Sequence, residues 1–210
     1  MNTRKKQIDK EAPPKSVPQI KIYVIHAVLY LVNRYRFESL TMNQIVVSSK
    51  VKRSQLFAVF KNITVIKEEC LKFSLNAFVG YLEREGSTKR VTTWTPQQVW
   101  SLIFMFSYYY RREVQLLTIY LANPLVLPGY EFKQEMSAQL SGVFQVFGQW
   151  LSIGGNKSFL LICFMLQRAL HLKKSGADIT NSYSDIPGNS LLFDEHVMSY
   201  IRRLQELPFD

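Results

Sequence analysis

Between Thr41 and Lys61 the chain has room for two helices, each shorter than an isolated helix needs to persist in water. Thr41 offers an N-cap oxygen, and Gln44 three positions on completes a capping-box pattern. That spacing predicts a helix from Met42 to about Ser48 with Ile45 on its buried side. Ser49-Lys50-Val51 makes a turn, and a second short helix follows from Lys52 to about Phe60. Upstream, Ile20, Val24, Ala27, Val28, Leu31 and Tyr35 recur at helical spacing, predicting a helix that opens near Pro18 and fades near Tyr35–Phe37. A longer helix followed by two short ones about three residues apart has the dimensions of a helix-turn-helix.

The rest of the chain is punctuated in the same way. Asn62 or Thr64 can cap a helix running to about Glu85, and Gly86-Ser87-Thr88 breaks it. Thr95-Pro96 has the form of an N-cap with proline in the first turn, opening an apolar segment from Gln97 to Leu121. Asn123-Pro124 ends that segment and Pro128-Gly129 marks a turn. Further helices are expected over 131–152, stopped near Gly154-Gly155, over 157–174, and from Leu191 to Leu207 after a polar loop at 175–189. No strand alternation persists and no internal repeat occurs, so the expected fold is all-α. It divides into a mobile basic arm (1–17), a three-helix domain (18–63) and a larger helical domain (64–210).

Charge divides the chain in the same place. Of a net +10, residues 1–61 hold twelve Lys or Arg against three acids, whereas residues 62–210 hold fourteen against thirteen. An excess confined to the first third points to a polyanion met by that part alone. Nucleic acid is the commonest such partner, since each neutralised phosphate releases a counterion. An acidic protein, an anionic membrane surface or simple solvation would account for the same charge. No apolar run of about 18 residues lacks charge, and the first residues do not resemble a signal peptide. Cys70 and Cys163 form neither a disulfide framework nor a metal cluster, and the expectation is two buried thiols in a cytoplasmic protein.

Residues 20–71, IKIYVIHAVLYLVNRYRFESLTMNQIVVSSKVKRSQLFAVFKNITVIKEECL, resemble the DNA-binding domain of TetR-type bacterial transcriptional regulators. The matching positions are Ala27 and Leu31 in the first helix, then Phe37 and Thr41 before the second. Ile45 lies within the second helix, Val51 ends the turn, and Leu56, Phe57 and Phe60 close the third. The resemblance covers about a quarter of the chain. Four positions depart from it. Lys50 stands where the family has a turn glycine, Lys52 where it has a Ser or Thr cap, Val59 where it has a second aromatic, and Ile63 where it has a basic residue.

On this placement Lys52, Arg53 and Gln55 occupy the exposed first turn of the third helix, the part that enters a major groove. Arg bridges guanine O6 and N7 and Gln pairs with adenine, so Arg53 and Gln55 are the candidates for reading bases. Thr41, Lys50, Lys52, Ser54 and Lys61 suit phosphates, which position without specifying. Phe57 is placed to touch the sugar backbone but is largely structural, as are Leu56 and Phe60. Arg4, Lys5 and Lys6 of the arm are expected to add nonspecific affinity rather than to read a minor groove.

The resemblance implies a repressor that binds a palindromic operator as a homodimer and answers to a small ligand. Trp100, Phe104 and Tyr108 recur at i, i+4 and i+8, the best arrangement for lining a pocket for a mainly apolar effector; plain core is the competing reading. The helices over 157–174 and 191–207 are the expected dimer interface, because in the family the last two helices pair with their copies. A central core helix in a monomer would be equally apolar. His26, His171 and His196 have no carboxylate or cysteine at a telling spacing, and no HExxH, GxSxG, P-loop or GxGxxG pattern occurs. No catalysis, cofactor or metal is expected.

Overall fold

The computed structural model describes residues 16–85, 94–122, 130–174 and 195–208, and side chains at 130–133 and 173–174 are left undescribed. The basic arm up to residue 15, the breaks at 86–88 and 123–129, the polar loop at 175–189 and the expected helix start at Leu191 lie outside these residues. Among the described residues the secondary structure is helical throughout: ten α-helices, one short 3-10 turn and no strand.

Helix α1 (Val17–Leu31) opens at Ser16, whose N–H donates to Gln19 Oε1 at 2.9 Å, with Pro18 in the first turn. It therefore begins inside the segment expected as arm. It also ends earlier than its apolar spacing predicts. Asn33 Nδ2 donates to Leu29 O at 3.3 Å, and the chain turns so that Phe37, in a 3-10 turn over Phe37–Ser39, enters the core while Tyr35 stays exposed. Burying one large ring outweighs continuing a helix that would keep another in water.

Helix α2 (Met42–Ser49) starts with the expected capping box. Gln44 N donates to Thr41 Oγ1 at 3.3 Å, and Thr41 N donates to Gln44 Oε1 at 2.8 Å. Helix α3 (Arg53–Val59) follows, with Lys52 at its N-cap making no side-chain cap bond, and buries Leu56. Helices α2 and α3 both pack on α1. Helix α4 (Ile63–Glu85), capped by Asn62 Oδ1 accepting from Val65 N at 3.0 Å, reaches from this unit into the body and packs on α1 as well as on the body helices.

The body contains two breaks where continuous helices are expected. The segment 97–121 divides at Tyr110 into α5 (Pro96–Tyr109) and α6 (Arg111–Ala122). The Tyr110 ring stacks on Phe106 at 4.9 Å and meets Tyr81 of α4 edge-on at 5.8 Å, and that aromatic packing turns the chain. The segment 131–152 divides at buried Leu140 into α7 (Tyr130–Gln139) and α8 (Ser141–Leu151). Helix α9 (Gly155–Lys174) lies at the centre, packed against α5, α6, α8 and α10 (Glu195–Glu206). Phe164 of α9 and Tyr200 of α10 stack at 4.0 Å. One apolar core runs unbroken from Ile20 to Leu204. Cys70 is buried in it, its thiol pushed up by desolvation, while Cys163 is only half-buried, and neither is in a disulfide. No helix is long and apolar enough to cross a membrane among the described residues.

Candidate nucleic-acid interface

The α2–α3 connection depends on Lys50, which adopts the left-handed conformation at φ 54°, ψ 27°. A glycine there would carry no Cβ penalty; lysine carries about 1 kcal/mol. Ser49 helps to hold the turn: its hydroxyl donates to Val46 O at 3.4 Å and accepts from Val51 N at 3.3 Å. Val51 is buried beneath, so the turn is fastened at both ends while the Lys50 side chain remains in solvent.

Below α3, Leu56 and Phe60 are almost wholly enclosed and fix the helix on α1. Its outer side exposes Arg53, Ser54 and Phe57, with Lys52 exposed at the N-cap and Gln55 half-buried. Phe57 is 44% exposed and Arg53 stands over its ring at 5.5 Å, so the guanidinium is supported by an aromatic face without being consumed by a carboxylate. No acidic residue occurs between Glu38 and Glu68. The seven residues of α3 make about two turns, and an α-helix about 10–12 Å across is what a major groove about 12 Å wide admits.

The structure thus brings Lys50, Lys52, Arg53, Ser54 and Phe57 to the turn and outer side of α3. Lys61 is exposed just beyond Phe60. Thr41 lies at the far end of α2, its hydroxyl engaged with Gln44. Val47 is a highly exposed α2 residue that the sequence reading leaves out; its i+2 offset from Ile45 is the signal that places it on the outer side.

The three aromatic residues expected around an effector separate. Trp100 and Phe104 are 2% and 4% exposed, their rings 6.1 Å apart in the core, whereas Tyr108 is 45% exposed near the end of α5. Tyr108 borders a surface hollow with Tyr30 of α1, Arg34 just beyond that helix and Arg112 of α6, residues that sequence spacing does not connect. Arg34 and Arg112 make its rim cationic rather than apolar. The three histidines are exposed, and no group of three or more potential metal ligands forms among the described residues. No known protein family, curated protein or solved structure matches the chain significantly.

Proposed function

We propose that the chain is a DNA-binding transcriptional regulator of the TetR type, a repressor acting as a homodimer on a palindromic operator. The observation that carries the reading is the acid-free turn and helix at 50–57, in which exposed Lys50, Lys52 and Arg53 stand on a buried Leu56–Phe60 base. Its α1, α2 and α3 form a helix-turn-helix whose third helix enters the major groove, with Arg53 and Gln55 on base edges and the lysines on phosphates. A single module of this size reads only a few base pairs, so a symmetric pair is needed for useful specificity.

Exposed apolar side chains in the last helices suit a partner copy: Trp150 on α8, Leu160 on α9 and Met198 on α10. Regulation by a small ligand suits a body joined to the DNA-reading unit through α4 and through Gln115 of α6, whose Nε2 donates to Val32 O at 3.3 Å. Genomic DNA selected by the purified protein tests the reading. Recovered sites should share half-sites with dyad symmetry, and binding should weaken steeply with salt. Binding that ignores base sequence would instead assign the basic face to an acidic partner or a membrane surface.

A further inference from the structure

Two arginines, one from the turn after α1 and one from α6, converge on one tyrosine ring. The Arg34 guanidinium, just past the end of α1, stands 4.5 Å from the centroid of Tyr30, and the Arg112 guanidinium of α6 stands 5.7 Å from the same centroid. The two cations are therefore within about 10 Å of each other, exposed, on the rim of a hollow of about 810 Å³ between α1 and the α5–α6 junction. Their mutual repulsion in water is weak, but both guanidinium groups border the same hollow and both attract an anion that enters it. The hollow is also lined by Arg111, Arg112 and Glu113 in the first turn of α6, the positive end of that helix. The Tyr110 N–H, by contrast, is already given to Phe106 O at 2.8 Å, and the end of α5 at Tyr108 and Tyr109 brings an opposing negative helix end. Glu113 is an acidic group on this lining and opposes the field only in part.

The other wall is aromatic. Tyr108 and Tyr109 are exposed and meet edge to face at 5.4 Å, leaving ring surface toward solvent beside the cations. Guanidinium forks match phosphate oxygens bidentately, and flat rings stack on tyrosine. A hollow of this volume has the size of a small-molecule site.

We propose that this hollow binds a small phosphate-bearing molecule with a flat ring, of the mononucleotide class. Arg34 and Arg112 clasp its phosphate, the first turn of α6 faces the same charge, and Tyr108 and Tyr109 receive its ring. The site stands apart from the DNA-binding reading, since none of these groups belongs to α3.

Calorimetric titration of the full chain with AMP, adenosine and inorganic phosphate, without DNA, tests the site. AMP should bind saturably at one per chain, more tightly than adenosine or phosphate alone. Arg34→Ala and Arg112→Ala should each weaken it about tenfold, the size of a lost charge-assisted hydrogen bond. Thermal melts should match the parent; if one variant melts early, Tyr109→Ser, at a more exposed position, takes its place and should also weaken AMP. Arg53→Ala should leave AMP affinity unchanged, which separates this site from the DNA-binding face. Absence of saturable AMP binding, or binding indifferent to Arg34 and Arg112, overturns the proposal. Equal affinity for inorganic phosphate overturns the aromatic half, and displacement of AMP by random-sequence duplex DNA reassigns the arginines to DNA phosphates.

Discussion

Lys67 and Glu38 meet across 29 positions of sequence: the lysine side chain is largely buried, and its ammonium donates to the Glu38 backbone carbonyl at 3.0 Å and lies 5.2 Å from the Phe37 ring centroid. This contact fastens the 3-10 turn before α2 to the side of α4. With the Lys21–Glu69 ion pair at 3.1 Å, it ties the α1–α3 unit to the long helix beneath it. The ion pair, still about a third exposed or more, contributes little, whereas Lys67 has a hydrogen bond to a backbone carbonyl to lose.

Lys67→Ala is accordingly expected to destabilise the fold by about 1–3 kcal/mol, because it strips the Glu38 carbonyl of its donor and uncovers Phe37. Burial lowers the Lys67 pKa below its ordinary 10.5, against a smaller opposing pull from Glu38. The unfolded chain then holds this proton more tightly than the folded one, so stability from Lys67 rises with pH as the folded group deprotonates, up to about 10.5. Urea titrations of both proteins at neutral pH and near pH 10 should show the gap widening at the higher pH. A gap that narrows there would contradict the burial assigned to this lysine.

Lys50→Gly should raise stability by up to about 1 kcal/mol, because glycine adopts φ 54° without a Cβ penalty. Lys50→Ala retains the strain and removes only the charge. Comparing the two urea midpoints isolates the backbone contribution, and equal midpoints would show that the turn stores no strain. Both variants should lower the salt slope of DNA binding by about one unit, as expected for one lost phosphate contact.

Short-range signals were the legible ones. The Thr41–Gln44 box and the Thr95 cap close within three residues, and sequence spacing locates them because no distant partner is involved; spacing leaves the α4 cap open between Asn62 and Thr64, and the structure gives it to Asn62. The break at Tyr110 was hidden because it depends on Tyr81 of another helix, and the early end of α1 because it depends on where Phe37 finds core. Trp100, Phe104 and Tyr108 drift apart for a geometric reason: each step of four overshoots a full turn by about 40°, so the third residue rotates out of the core stripe. The apolar run of α9 was ambiguous on its own terms. The structure shows it enclosed by helices of its own chain, which accounts for its composition without a partner. The pairing of Arg34 with Arg112 over Tyr30 follows only from how α1 and α6 pack.

Substitutions on α3 should separate readers of sequence from holders of phosphate. Arg53→Ala and Gln55→Ala are each expected to cost about 1–3 kcal/mol on the preferred site and to relax preference at particular base pairs. Gln55 is half-buried, so its variant also needs a folding control. Lys52→Ala should weaken all sequences alike and reduce the salt slope by about one unit. Binding measured against a set of single-base operator variants distinguishes the two behaviours, and uniform losses from all three substitutions would mean that α3 does not lie in the groove.

The proposed homodimer would make its own demand on the surface of the body. Helix α10 turns Val197, Ile201 and Leu204 inward and leaves Arg202, Arg203 and Glu206 in water, so its outer face cannot by itself supply an apolar seam. The apolar contribution has to come from Trp150 of α8, 60% exposed, and from Leu160 and Met198. A large exposed aromatic such as Trp150 is a usual anchor of an interface, and an unpartnered charge in its place opposes association far more than it disturbs the monomer. Trp150→Glu together with Leu160→Glu should therefore shift light-scattering mass from dimer to monomer at micromolar concentration, with little change in the thermal melt of the monomer. Operator affinity should fall steeply, since each half-site is then bound alone. A parent protein already monomeric, both free and on DNA, would remove the dimer and leave these side chains as ordinary surface.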